Sequence, residues 1–424
     1  MLAQGTGIAT YARNLAQAVT ANGYDVDVLV GTDKTLDEHD AGLNAISLFD
    51  AVRPIPWPAW RMRLRKQFGA PFAIRAHEAS LAAVSDPFAA RLEGFDRVFA
   101  ATDLDPLTRL HFARHGKRGT VKPPSTPSLF HTTQPIPIAV RGCPNVYTIH
   151  DLVPLKLPSS TRDNKRYMVN LLRHLGRVAD HIVTVSEFSR QEIIRFCGVD
   201  EARITNTYQS VSLPAKALAS SEDDVARLVG NLAGVDLHEY FLFVGAIEPK
   251  KNLSRLLDAY LAAGVRRPLV VAGGLGWQYE DELRKLGDDR FLDDDLRDAA
   301  VVPRRRVRRL SYLPRAHLVA LMRGARALLF PSLYEGFGLP VLEAMSVGTP
   351  VLTANVASLP EVAGGAAVLV DPLDIDDIAR GIRQLDDDAD LRAELRQLGL
   401  RRAAAFSPEA YRRRLAGLYA SVIG

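Results

Sequence analysis

The chain has 424 residues, 47% hydrophobic and 24% charged, a globular composition that excludes a disordered polymer and a length that points to two domains. Its formal net charge of +4 is too slight to imply nucleic acid. Two cysteines, Cys143 and Cys197, exclude a disulfide framework and a cysteine-based metal site, and they fit a reducing, cytoplasmic compartment.

From Thr6 to about Ala21 the residues Ile8, Tyr11, Ala12, Leu15, Ala16 and Val19 recur at the spacing of one helix face, and Asn22-Gly23 ends the run. Val26–Val30 then reads as a strand. Further strands are expected at Arg97–Ala100, Val146–Ile149 and His181–Val185, alternating with helices as in a parallel α/β sheet. Ser186 is expected to cap the next helix and to do nothing else. The periodicity weakens across Pro214 to Asp224, where the domain boundary is placed.

A second series follows: strand Tyr240–Val244, helix Leu253–Leu261, strand Leu269–Ala272, helix Leu318–Met322, strand Ala327–Phe330, helix Leu339–Ser346 and strand Val351–Thr353. Two doubly wound, Rossmann-like domains are predicted, spanning residues 1–215 and 222–404. Ser407-Pro408-Glu409 reads as the capped start of a last helix within 405–424. A doubly wound domain opens with a strand, yet only four residues precede Gly5. The first strand is therefore expected to be missing, with the chain starting at an internal methionine.

Three stretches carry chemistry. Phe330 to Ala344 reads Phe-Pro-Ser-Leu-Tyr-Glu-Gly-Phe-Gly-Leu-Pro-Val-Leu-Glu-Ala, a strand end, a glycine loop and a helix start with free N–H groups that favour an anion. Glu335 and Glu343 bracket it. A helix-dipole contact for Glu335 and a solvated surface position for Glu343 explain the same acids without function. Gly245-Ala246-Ile247-Glu248-Pro249-Lys250-Lys251-Asn252 places two lysines just before a helix, where the macrodipole disfavours cations and a bound phosphate reverses the sign. Simple pairing with Glu248 is the alternative. Val146-Tyr147-Thr148-Ile149-His150-Asp151 puts His150 at the carboxyl end of a first-domain strand, facing an interdomain cleft or satisfied structurally. At the start, Gly5-Thr6-Gly7 is a weak dinucleotide fingerprint, because Thr10 stands for the third glycine; a tight turn offering N–H groups accounts for both glycines.

In this order and spacing the residues resemble the family 4 glycosyltransferases, retaining enzymes of the two-Rossmann-domain GT-B fold. The resemblance rests on Gly5-Thr6-Gly7, Thr148–Asp151, Val244-Gly245 through Asn252, the turn Ser311-Tyr312-Leu313-Pro314, and above all the paired glutamates Glu335 and Glu343 separated by seven residues. It implies that a C-terminal helix crosses back to the first domain and that the donor is a nucleotide diphosphate sugar used without a metal or other cofactor. It further implies that Lys251, with Lys250 beside it, neutralises the departing diphosphate. On the same resemblance Glu335 would sit beside the transferred sugar, while Gly336, Phe337, Gly338 and Leu339 would bind sugar hydroxyls and diphosphate. Glu343 would accept from the nucleotide ribose, and His150 would meet the sugar near its reacting carbon. Ala246 departs from the family, where a basic residue often follows the strand's glycine.

Likeness to bacterial polysaccharide mannosyltransferases suggests a hexose donor, GDP-mannose, and a glycan or lipid-linked acceptor in surface polysaccharide synthesis. The competing expectations are a GT-B sugar-nucleotide epimerase and an inactive sugar-nucleotide-binding partner subunit. Between Arg53 and Arg75, Trp57, Trp60, Arg61, Arg63, Arg65, Lys66, Phe68 and Phe72 interleave aromatic and basic side chains, fitting either peripheral contact with the inner face of a membrane or an ordinary acceptor-domain loop and helix. Arg304 to Arg309 is expected to be a solvated loop offset by Asp293–Asp295. The start lacks a basic and apolar leader, and no run of apolar residues is long enough to span a bilayer.

Overall fold

A computed structural model describes residues 7–33, 36–37, 40–49, 74–80, 94–158, 164–297 and 300–424. The expected first helix spans Gly7–Ala21 and buries Tyr11, Leu15, Ala18 and Val19. Ile8, assigned to its apolar face, lies in the exposed first turn.

The first lobe holds short sheets. Asp27–Thr32 runs parallel to Arg97–Thr102, with Asp27 opposite Arg97 and their side chains paired at 2.7 Å. The segment Ile74–Glu78 links two sheets: His77–Glu78 is antiparallel to Arg97–Thr102, while Ile74–Arg75 is parallel to Gly119–Lys122. A four-stranded parallel sheet takes Ile204–Asn206, His181–Thr184, Asn145–Thr148 and Phe130–Thr132 in that order. Its two inner strands are buried at every position, as strands covered on both faces must be.

The second lobe is built on one six-stranded parallel sheet: Val307–Leu310, Leu269–Ala272, Phe241–Val244, Ala327–Phe330, Val351–Ala354, Val368–Val370. In chain order this is third, second, first, fourth, fifth, sixth, the doubly wound arrangement. The order reverses between Phe241–Val244 and Ala327–Phe330, so a crevice opens where the loops after these two strands diverge. The basic run is not the solvated loop expected. Arg304 and Arg305 end the second arm of the antiparallel hairpin Leu292–Arg297/Ala300–Arg305, and Val307–Leu310 is the edge strand of the sheet. The Arg306 guanidinium lies 5.3 Å from the centre of the Tyr260 ring, and Arg308 donates to the carbonyls of Ala233 and Gly234. An edge strand tolerates such charges because one side of it faces no neighbour. The stretch where periodicity weakened contains helix Ala215–Leu218 and the start of helix Glu222–Ala233, capped by Ser221.

After helix Ala389–Ala404, Ser407 accepts the N–H of Ala410 at 3.3 Å and caps helix Pro408–Ile423, which returns to the first lobe. There it lies on helix Gly7–Ala21: Asn22 donates to the Arg412 carbonyl at 3.1 Å, and the rings of Tyr11 and Tyr411 meet edge-on. One buried cluster therefore runs from Tyr11 and Val183 through Tyr411 and Leu415 to Phe330 and Leu342, spanning both lobes.

His131 ties this helix down. One ring nitrogen is 2.6 Å from the Tyr419 hydroxyl and the other 2.9 Å from the Thr148 hydroxyl. A neutral imidazole, one donor and one acceptor, satisfies both hydroxyls, and burial pulls the His131 pKa down to about 3. The unfolded chain takes up a proton near pH 6.5 that the folded chain refuses, so stability falls as pH drops from about 6.5 towards 3, by at most about 1.4 kcal/mol per pH unit from this site. Urea unfolding across that range is expected to show a shallower acid slope for His131→Asn than for the parent, whatever its absolute stability.

Candidate active site at the cleft between the lobes

Both chemistry-bearing loops of the second lobe leave the sheet at its reversal point. After Val244 the chain makes a 3-10 turn, Pro249–Lys251, and Asn252 with φ 61° turns it into helix Leu253–Ala263. The lysines thus precede the helix rather than occupy its first turn. Asn252 does what the sequence did not reveal: its amide donates to the carbonyls of Pro331 and Pro372 at 3.0 and 2.6 Å. With the bond from the Leu333 N–H to the Lys250 carbonyl at 2.9 Å, it binds the two loops together.

Lys251 Nζ lies 2.6 Å from Glu335 Oε1, with both side chains only 12% and 11% exposed, and 4.9 Å from the centre of the Phe330 ring. Lys250 pairs with Glu248 at 3.6 Å, the simple alternative foreseen for it. Burial opposes the charge of Lys250, but the carboxylates of Glu335, Asp151 and Glu248 outweigh burial and hold its pKa above the usual lysine value. Burial likewise opposes ionisation of Glu335, and Lys251 and Lys250 overcome it, leaving the carboxyl below its usual range. Glu335 is thus held ionised beside the Lys251 side chain.

Glu343, in helix Leu339–Ser346, is not a solvated acid. Arg315, which sequence reasoning missed although it follows the quoted Ser311–Pro314 turn, donates to Glu343 at 2.9 Å and to the Ser212 carbonyl at 2.9 Å. Burial nevertheless raises the Glu343 pKa against the pull of Arg315.

At Gly336 the backbones of the two lobes come close. A Cβ there would lie 2.7 Å from Asp151 Cβ and 2.8 Å from the His150 carbonyl, so only glycine permits this approach. Gly338 has φ 108° and precedes the helix, a left-handed conformation that also calls for glycine. Among the described residues, no acceptor takes the N–H groups of Phe337, Gly338 and Leu339.

His150 follows strand Asn145–Thr148, and its Nε2 is 2.9 Å from the Thr133 carbonyl. A carbonyl only accepts, so Nε2 carries the proton. Burial lowers the His150 pKa, which leaves a neutral ring with Nδ1 as an acceptor. The ring packs edge-on against Tyr11 at 4.7 Å, and the Tyr11 hydroxyl is 3.0 Å from that of Thr148. Gly7 begins the first helix, and among the described residues nothing lies within 4 Å of a Cβ built there. Gly5 and residues 53–73 lie outside the described residues. Among the described residues there is no group of three metal-ligating side chains and no helix long and apolar enough to cross a membrane.

Ser186 caps helix Glu187–Cys197 as expected, but it is more than a cap. Its hydroxyl also donates to the Gly336 carbonyl, across the cleft, at 2.7 Å.

Comparison with known proteins accounts for both lobes. Residues 75–213 match the family described as Glycosyltransferase Family 4, and residues 235–402 match Glycosyl transferases group 1. The chain is 37% identical over 275 residues to O-antigen chain mannosyltransferase B of Escherichia coli, covering 62% of this chain and 67% of that protein. The chain belongs to glycosyltransferase family 4. A serotype-specific mannosyltransferase, WbdA, from the same organism is 30% identical over 62% of the chain, which spans about a third of WbdA's length (31%). The GT-B fold of the enzyme is matched by the solved structures of Anabaena HepE with UDP and glucose (TM-score 0.62, 16% identity, 99% and 98% of the two chains covered) and of sucrose-phosphate synthase from Thermosynechococcus elongatus (TM-score 0.60, 20% identity, 97% and 92% covered).

Removing one member of a buried ion pair strands the other. Lys251→Met in the transferase is expected to cost about 3–5 kcal/mol, and adding Glu335→Gln to recover much of it. Chemical denaturation of the two single variants and the double variant measures this coupling.

Proposed function

We propose that the enzyme transfers a hexose, mannose by preference, from a nucleotide diphosphate sugar such as GDP-mannose to a glycan or lipid-linked acceptor in surface polysaccharide assembly, with retention of configuration. The observation that carries the reading is the buried Lys251–Glu335 pair beside the N–H groups of Phe337–Leu339, which find no acceptor among the described residues, at the reversal point of the sheet. Mannose rests on relatives named as mannosyltransferases. In this reading residues 1–215 hold the acceptor, 222–404 hold the donor and 405–424 brace the two, with the segment 53–75 touching the inner face of the membrane.

The chemistry needs stabilisation of a departing diphosphate and an oxocarbenium-like sugar. Lys251 and Lys250 supply fixed positive charge, and the N–H groups of Phe337, Gly338 and Leu339 donate to phosphate and sugar oxygens. As the anomeric C–O bond breaks, the acceptor oxygen bonds to the same face of the sugar and its proton passes to the departing phosphate oxygen. Glu335 acts by position and charge beside the sugar. Neutral His150 accepts a sugar hydroxyl at Nδ1, and Glu343 accepts from the ribose. Gly5 and Gly7 offer backbone N–H groups near the sugar or phosphate.

Thermal unfolding with GDP, UDP and ADP, each with chelator, is the primary test. A ligand at 100 times its dissociation constant adds roughly 2.7 kcal/mol. A selective shift with GDP supports the proposed donor; a larger shift with UDP or ADP overturns the GDP-mannose assignment, and no shift with any of them overturns the donor site. Glu335→Gln is expected to lower turnover about a hundredfold or more with nucleotide affinity within a few-fold, and weakened nucleotide binding with intact turnover would contradict its role.

A further inference from the structure

We propose that Ser186 is a positioning residue of the transfer reaction: from the first lobe its hydroxyl holds the carbonyl of Gly336 and thereby aims the Phe337 N–H at the donor. The inference rests on the reading of Phe337–Leu339 as donor-binding backbone.

The argument begins with hydrogen-bond accounting. The Ser186 oxygen already accepts the N–H of Ser189 at 3.0 Å, which leaves its one proton for the Gly336 carbonyl at 2.7 Å. The Ser189 hydroxyl points to the same carbonyl at 3.3 Å. Both serines are fully buried, so no water competes. On the other side of the loop, the Ser358 hydroxyl lies 2.8 Å from the Glu335 carbonyl and 2.9 Å from the Phe337 carbonyl, its single proton shared between them. Three successive carbonyls are therefore held by serine hydroxyls, the middle one from the opposite lobe.

A trans peptide points its C=O and N–H in opposite directions. Fixing the Gly336 carbonyl towards the first lobe consequently turns the Phe337 N–H away from it, into the second lobe's crevice. The hold exists only while the lobes are together, so it couples their approach to the order of the donor loop. Glu361 secures that approach from the second lobe: its two oxygens accept the N–H groups of Glu187 and Phe188, at 2.7 and 2.9 Å, in the first turn of the helix that Ser186 caps. A carboxylate there also meets the positive end of the helix dipole.

The experiment compares Ser186→Ala, Ser186→Thr and Ser407→Ala. Ser407→Ala removes a helix cap of the same kind with no contact to Gly336, and so controls for lost stability. Ser186→Ala is expected to lower kcat by about ten- to a hundredfold with a smaller change in donor KM, while Ser186→Thr keeps kcat within about threefold and Ser407→Ala loses melting temperature without kcat. Hydrogen–deuterium exchange of residues 335–342 with GDP or UDP present gives a readout independent of turnover. There Ser186→Ala should exchange faster than both other variants. Parent-like kcat and exchange in Ser186→Ala overturn the proposal, as does an equal loss in Ser407→Ala. A parent enzyme that transfers no sugar overturns the donor reading instead, and the exchange comparison still decides whether Ser186 holds the loop.

Discussion

Burying Glu335 is the constraint from which the rest of the site follows. A carboxylate in that position demands a cation, and Lys251 comes from the loop of the adjacent strand, Phe241–Val244. That requirement draws two loops, 84 residues apart at the pair, into one surface. Asn252 and the Leu333–Lys250 backbone bond lock it from below. Without a ligand the carboxylates of Glu335, Asp151 and Glu248 face Lys250 and hold its pKa up, while Glu335 pairs with Lys251.

The second constraint is the contact between lobes. Gly336 can lie against His150 and Asp151 only because it has no side chain, and serine hydroxyls and Glu361 reach across at the same point. Farther back, helix Pro408–Ile423 turns the interface into part of a continuous core, and the chain Tyr419–His131–Thr148–Tyr11 ends at the ring against His150. The terminal helix is thereby mechanically connected to a residue of the cleft. A buried hydroxyl network of this kind specifies one arrangement, since any slip leaves polar groups unpaired.

The four inner strands of the second lobe were legible because strands buried on both faces are unbroken apolar runs, as at Phe241–Val244 and Ala327–Phe330, whereas the half-exposed edge strand Val368–Val370 was missed. Edge strands escape that rule: Val307–Leu310 carries Arg308, which donates to the Ala233 and Gly234 carbonyls, and Arg309, and it follows Arg306 over the Tyr260 ring, so its local pattern is that of a charged loop. In the site, glycines and glutamates at set spacing were visible, and so were the lysines that lie next to each other in the chain. Invisible were the partners brought from a distance, Arg315 for Glu343, Asn252 for two carbonyls, Ser358 for two more.

By itself the sequence determined which residues end strands, where helices are capped, and which acids, lysines and glycines lie in the loops, because hydrophobic period, capping and turn chemistry act over a few neighbouring residues. Only the tertiary structure decided how those groups are paired. Ser186 shows the difference: its cap is a bond to a residue three positions on, readable from the chain, whereas its bond to Gly336 spans 150 positions and exists only where two lobes meet.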